Sequence, residues 1–269
     1  MSEPVVLPTD PAALPLLHHG RIEVTGRIVE ASNATLLCTV QCDGVSAECV
    51  YKPIRGERPL WDFPDGTLAG REVASWLLSE ATGWSLVPPT VLRSGPLGSG
   101  MVQLWIDTED ERGLVDVVAL DAVPQGWRTV LRAYDRYGDP ALLVHADTEG
   151  VRRLAVLDVL LNNADRKGGH VLAGLDGGVY GVDHGICLHR EDKLRTVLWG
   201  FLGQRLPTAA LDMLRRVRSE LDGPLGVALT EHLTRAEVRA VWERADQLVA
   251  TATFPSPNGN WPAIPWPAF

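Results

Sequence analysis

Two short segments hold side chains of the types that act together on phosphate groups. Asp165, Lys167 and His170 lie in the run NNADRKGGH, and Asp183 lies in the run VDHG. Each run alone is also the kind of sequence that makes an ordinary polar turn. Between them, HVLAGLDGGVYGVD reads as a hairpin, because two apolar runs flank Asp176-Gly177-Gly178, a favoured tight-turn sequence. A hairpin returns its two ends to one place, so the four side chains are expected to converge. Phosphoryl transfer needs a carboxylate facing the acceptor, cations to neutralise oxygen charge, and a ligand set for a metal ion. Asp165, Lys167, and Asp183 with His170 are the candidates for those parts.

The surrounding elements must carry these segments to a common cleft. Residues 21–52 read as an antiparallel meander of three strands, RIEVTGRIVE, ATLLCTVQCD and AECVYKP, with Gly44 before the third. LAGREVASWLLSEATG follows as a helix, with Val73, Trp76, Leu77 and Ala81 at helical spacing and Gly83 as its stop. LVPPTVLR and MVQLWID read as two further strands around a Gly- and Pro-marked turn. Beyond Asp107 the pattern turns helical: a helix over 127–137, then DTEGVRRLAVLDVLLNN with Asp147 or Thr148 as cap, and two amphipathic helices in AALDMLRRVRSELD and TRAEVRAVWERADQLVA. The tail FPSPNGNWPAIPWPAF holds too much proline for a helix or a central strand, and is expected to be extended, packed on the helices or free.

A chain of 269 residues with 45% apolar content can bury one large core or two lobes sharing a cleft. A net charge of −9 argues against a surface for nucleic acid or anionic lipid, so any anionic ligand must meet a local cluster of cations. Cys38, Cys42, Cys49 and Cys187 lack the paired spacing of a zinc site and are expected to be thiols. No stretch approaches the roughly 18 apolar residues of a membrane span, and the proline-broken N-terminus does not resemble a signal peptide. A soluble, cytoplasmic protein is the expectation.

The order of these features carries a resemblance. DRxxx followed by Asn or His, a hairpin, then DxG, all preceded by a five-stranded lobe containing Tyr51-Lys52-Pro53, resembles the phosphatidylinositol 3-/4-kinase superfamily. HipA-type bacterial kinases are similar at the same places, and the whole chain resembles a family of small actinobacterial proteins related to phosphatidylinositol 3-/4-kinases. The resemblance implies an α+β, bilobal protein-kinase-like fold: a small antiparallel five-stranded N-lobe with one helix (1–102), a hinge (103–107), a mainly helical C-lobe carrying the catalytic loop and metal turn (108–254), and a proline-rich tail (255–269).

It also implies roles. Asp165 matches the catalytic aspartate, Lys52 the lysine that contacts the ATP phosphates, and Glu72 the helix glutamate that pairs with that lysine. The turn containing Ser32 and Asn33 stands where the phosphate loop lies, and Gln103, Leu104 and Trp105 stand at the hinge that would bind adenine. His170 replaces the usual metal-binding asparagine, which tilts the expected ion from magnesium toward manganese, and Lys167 replaces a histidine. The segment ICLHREDKLRTVLWG lacks the dense basic cluster of a phosphoinositide site, so the expected acceptor is a protein hydroxyl, the chain's own included, with Lys193 or Arg195 placing it. The departures at 167 and 170 keep two alternatives open: a nucleotide-binding regulatory module without turnover, and transfer of AMP instead of phosphate.

Overall fold

The computed structural model describes residues 6–28, 33–108, 113–135 and 137–269. In the first lobe a short helix α1 (Ala13–His19) precedes β1 (Arg21–Arg27), β2 (Leu36–Cys42) and β3 (Val45–Pro53), which form the expected meander. The β2–β3 turn is Asp43-Gly44, both at positive φ (50° and 81°), the conformation that closes a two-residue hairpin. Helix α2 (Leu68–Thr82) follows, then β4 (Thr90–Gly95) and β5 (Gly98–Leu104), completing an antiparallel sheet of order β1-β2-β3-β5-β4. Helix α1 was not expected from ALPLLHH. Its Pro15 falls in the first turn, where a missing N–H breaks no helical bond.

Alternation sorts the two faces of this sheet. Cys38, Val40, Cys49, Tyr51 and Val102 are buried against Leu16 and Leu17 of α1. On the other face Lys52 stands opposite Met101 in register, and Met101 packs on Ala69 and Val73 of α2. Thr67 accepts the Gly70 N–H at 2.9 Å to cap α2, and the Glu57 carboxylate takes the Leu68 and Ala69 N–H groups at 3.0 and 2.8 Å. Gly83 ends the helix at φ 69°, as its position in the sequence predicts.

The second lobe differs from expectation at 127–137. Instead of a helix, Trp127–Tyr134 is strand β7, part of a three-stranded antiparallel sheet in which β8 (Pro140–Ala146) lies between β6 (Val115–Ala119) and β7. The apolar spacing there also fits a strand, and the Asp135–Asp139 turn, with Gly138 at φ 87°, returns the chain onto β8, so pairing overrides the helical pattern. Helix α3 (Glu149–Leu161) follows, its Val151 N–H accepted by Thr148 at 3.3 Å. The hairpin is present as β9 (Val171–Ala173) and β10 (Val179–Gly181). Helices α4 (Thr208–Leu221), a short α5 (Pro224–Leu229) and α6 (Arg235–Thr251) complete the lobe. The proline-rich tail is extended and packed: Ala263 O accepts from Trp199 Nε1 at 2.8 Å, and Ala268 O accepts from the Gly168 N–H at 2.7 Å. Among the described residues no helix is long and apolar enough to cross a membrane.

Leu154, Leu157, Leu160 and Leu161 of α3 are fully buried in the main core, so α3 is the base from which the loop 162–170 projects. Replacing Leu157 by Ala is expected to cost about 2–5 kcal/mol, through lost transfer energy and the cavity left behind. Urea unfolding followed by circular dichroism measures it, and a loss below about 1 kcal/mol would contradict a close-packed base.

Candidate active site

Helix α3 ends at Asn162, in the left-handed region at φ 52°, and the chain turns at once into the NNADRKGGH loop. The side chain of Asn162 spans outward, donating to the carbonyls of His189 and Glu191 at 3.0 and 2.6 Å and accepting the Lys193 N–H at 2.9 Å. Asn163 Oδ1 accepts the Asp165 N–H at 2.9 Å, which fixes the backbone of the aspartate itself. Arg166 points the opposite way and is wholly buried. It binds Asp158 of α3 through Nε and Nη2 (2.9–3.1 Å), the carbonyls of His170 and Val182 through Nη1 (3.1 and 2.9 Å), and His184 Nε2 at 2.6 Å. One guanidinium thus ties the loop, both ends of the hairpin and the DHG turn to α3.

That tie brings the predicted residues together. Asp183, at φ 58°, turns its carboxylate into the cleft, with Oδ1 2.7 Å from Lys52 Nζ and Oδ2 3.6 Å from His170 Nε2. Lys52 Nζ also lies 2.7 Å from Glu72 Oε1, and Glu72 Oε2 accepts the His184 N–H at 2.8 Å. Lys167 Nζ is 3.6 Å from Asp165 Oδ2. Lys52, Glu72, His170 and Asp183 therefore form one contiguous cluster, and the Asp165–Lys167 pair stands beside it, close enough for Asp183 to raise the Asp165 pKa.

The charges follow from this placement. Burial alone would lower the Lys52 pKa, but Asp183 and Glu72 hold it above the ordinary lysine value. Lys52 in turn holds Asp183 well below the usual carboxylate range. Burial raises Glu72, with Lys52 opposing. Burial also raises Asp165, against the pull of Lys167, which suits a group that must accept a proton. His170 is pushed down to about 4, chiefly by burial, so its ring is neutral at pH 7.

Other predicted residues are placed differently. Asn33 Oδ1 accepts the Arg58 N–H at 2.9 Å, tying the strand turn to the loop after β3, while Ser32 lies outside the described residues. Gln103 is buried and donates to Thr90 at 2.8 Å. The N–H groups of Leu104 and Trp105 are engaged by Pro89 O and Glu48 O, both at 3.0 Å, so neither is free for an adenine in this arrangement. Lys193 is buried against Asp62 Oδ2 (3.1 Å) and the rings of Trp261, Phe63 and Trp61, which removes it from acceptor placement. Arg195 Nε donates to Ala164 O at 2.6 Å, beside Asp165. Concavities of about 960 and 630 Å³ lie beside the β9–β10 turn, lined by Leu175 and Tyr180 and not by Lys52 or Asp183. The charged cluster, not the largest hollow, marks the site.

Asp158, Arg166, Asn162 and Asn163 were not singled out from the sequence. A signal existed for Asp158: it is an acid in the middle of the apolar run LAVLDVLL, where an uncompensated carboxylate would be costly.

No family model matches the chain. Protein Rv2133c of Mycobacterium tuberculosis is 51% identical over 263 residues, an alignment covering 94% of each chain. The chain belongs to the same family as Protein Rv2133c. Among solved structures it is similar to the Golgi casein kinase, with a TM-score of 0.54 at 14% identity over 89% of this chain and 73% of that one. A Helicobacter pylori proinflammatory kinase, CtkA, superimposes with a TM-score of 0.46 at 12% identity over 88% of this chain and 94% of that one, too low to carry weight. The fold of this member of the Rv2133c family is therefore kinase-like.

Two outcomes check the site. Replacing Asp158 by Asn leaves the buried Arg166 without its counter-charge and is expected to cost about 3–5 kcal/mol in a urea melt. In the metal-free protein, the His170 ring is expected to titrate near pH 4 in an NMR pH series, against an ordinary 6.5. The unfolded chain then takes up this proton first, so stability falls as pH drops from 6.5 toward 4. A midpoint near 6.5 would show an exposed ring.

Proposed function

We propose that the protein is an ATP-dependent, divalent-metal-requiring kinase that transfers a phosphoryl group to a Ser or Thr hydroxyl of a protein, its own chain included. The observation that supports this most is the ammonium of Lys52 held between Glu72 and Asp183, with Asp165 on the same cleft. In this reading Lys52 meets the ATP phosphates, Glu72 holds Lys52 and the DHG turn in place, and Asp165 faces the acceptor hydroxyl and takes its proton. Lys167 neutralises charge developing on the transferred group. Its approach to Asp165 also keeps that carboxylate partly neutralised until an acceptor arrives.

His170 and Asp183 are the residues that would hold the metal ion. The donor set suits a divalent cation that takes its remaining ligands from phosphate and water, since among the described residues no third His, Cys, Asp or Glu joins these two. His170 Nδ1 is buried without a hydrogen-bond partner among the described residues, and Nε2 is neutral and faces Asp183. Such an ion supplies charge neutralisation between the phosphates. An imidazole ligand favours manganese over magnesium.

The likeness to the Golgi casein kinase favours a protein acceptor over a lipid, and the burial of Lys193 removes one of the few cations available to a phosphoinositide head group. Membership of the phosphatidylinositol 3-/4-kinase-like group remains part of this proposal. A second reading, a nucleotide-binding module without turnover, is favoured by the engaged hinge N–H groups of Leu104 and Trp105.

Incubation with labelled ATP and manganese or magnesium, followed by intact and peptide mass spectrometry, separates these readings. Phosphate adducts are expected in wild type, falling by about 10²–10⁴-fold in Asp165→Ala. Equal labelling of the two would overturn the role of Asp165. AMP adducts would indicate nucleotidyl transfer, and ATP binding without any adduct would favour the regulatory module.

A further inference from the structure

We propose that Arg71 is a positioning residue: it fastens the helix bearing Glu72 to the helical lobe, so that the Lys52–Glu72–Asp183 cluster is assembled before any nucleotide arrives. This rests on the kinase reading for its catalytic consequence, but its structural content stands apart from it.

Adjacent residues of α2 reach across to one segment of the other lobe. Glu72 accepts the His184 N–H, and Arg71 Nη1 donates to Cys187 O at 2.9 Å, three positions further on. Between these anchors sits Gly185, where an added Cβ would lie 3.3 Å from Leu68 Cβ and 3.7 Å from Leu68 O. The first turn of α2 therefore presses directly on the glycine of the DHG turn. Arg71 Nη2 completes the anchorage, donating to Asp65 O at 2.9 Å and to Glu237 Oε1 of α6 at 2.5 Å, while the guanidinium lies 5.0 Å from the Phe63 ring centroid.

Glu237 has two separate duties. Its Oε2 accepts from the Thr234 N–H and hydroxyl at 2.9 and 2.8 Å, which closes a capping box at the start of α6, and its Oε1 is left for Arg71. Both partners are buried, at 1% and 3% exposure. A buried ion pair gains little stability over apolar side chains of the same volume, because desolvation offsets the attraction. What it does supply is direction. A guanidinium with three acceptors on α6, the segment after the DHG turn and the loop before α2 holds α2 at one angle. Apolar packing alone permits small slides, and a slide of α2 would separate Glu72 from both Lys52 and His184.

The test is the double variant Arg71→Met with Glu237→Gln. Gln retains the capping box, and no unpaired charge is left behind. Amide hydrogen exchange is read at His184, whose N–H depends on Glu72, and at Leu157 as a control in the core. The proposal expects His184 exchange to accelerate about tenfold or more with Leu157 unchanged. In phosphate transfer it expects kcat to fall about tenfold while KM for ATP stays near the wild-type value. Arg71→Lys, which keeps the cation, should recover part of both. If the double variant does not fold, Glu237→Gln alone is read at the same two amides. Wild-type exchange at His184 in either folded variant overturns the proposal. So does parallel acceleration at His184 and Leu157, which marks a general loss of stability. A wild-type protein that transfers nothing counts against the kinase reading, while the His184 result still decides the role of Arg71.

Discussion

The site depends on a charge that water never reaches. Arg166 lies in the loop that carries Asp165, yet its guanidinium turns into the core to meet Asp158. A buried guanidinium with its hydrogen bonds unmet would be intolerable, so every group around it must come to a set place. The carbonyls of His170 and Val182, His184 and the Asp158 carboxylate all converge on it. The carbonyls that it binds lie at the two ends of the hairpin, beside His170 and Asp183. Asp165 is placed by what happens on its other side, since its neighbour in the chain cannot move.

From that anchor the order extends across the cleft. The DHG turn held by Arg166 offers its own N–H to Glu72 and its carboxylate to Lys52, so the two lobes meet through ionised groups instead of a broad apolar seam at this point. The electrostatics explain how a chain of net charge −9 can present a phosphate site. Its cations are not spread over the surface. Lys52 and Lys167 are gathered in a partly desolvated cleft, where each is worth more than in water, and each is matched by a carboxylate in the structure without nucleotide. Arriving phosphates would compete for cations already in position.

Lys193 and Trp261 extend the same theme away from the chemistry. The lysine follows the DHG turn in sequence, where a basic residue reads naturally as a substrate contact, but aromatic rings from the loop after β3 and from the proline-rich tail enclose it. Its function in this arrangement is to hold three chain segments together.

Local chemistry made much of this visible in the sequence. The strand alternation of 36–53, the helical spacing and glycine stop of 68–83, the Thr148 cap and the Asp-Gly-Gly hairpin turn are decided by residues a few positions apart, and each is found where the pattern puts it. Because a hairpin must return its ends together, the meeting of His170 with Asp183 was legible before any coordinates. The tertiary structure decided what depends on distant partners. Strand β7 was misread as a helix because its pairing with β8 outweighed a compatible helical spacing. The hinge N–H groups of Leu104 and Trp105 were expected to be open, and strand and loop carbonyls had already taken them. Arg166 read as a polar loop residue until Asp158 drew it inward, and Lys52 acquired its second carboxylate from a residue 131 positions away. Periodicity and turn chemistry act over a few residues, so a sequence displays them. Burial of a charge depends on which distant group arrives to compensate it, and only the folded chain determines that.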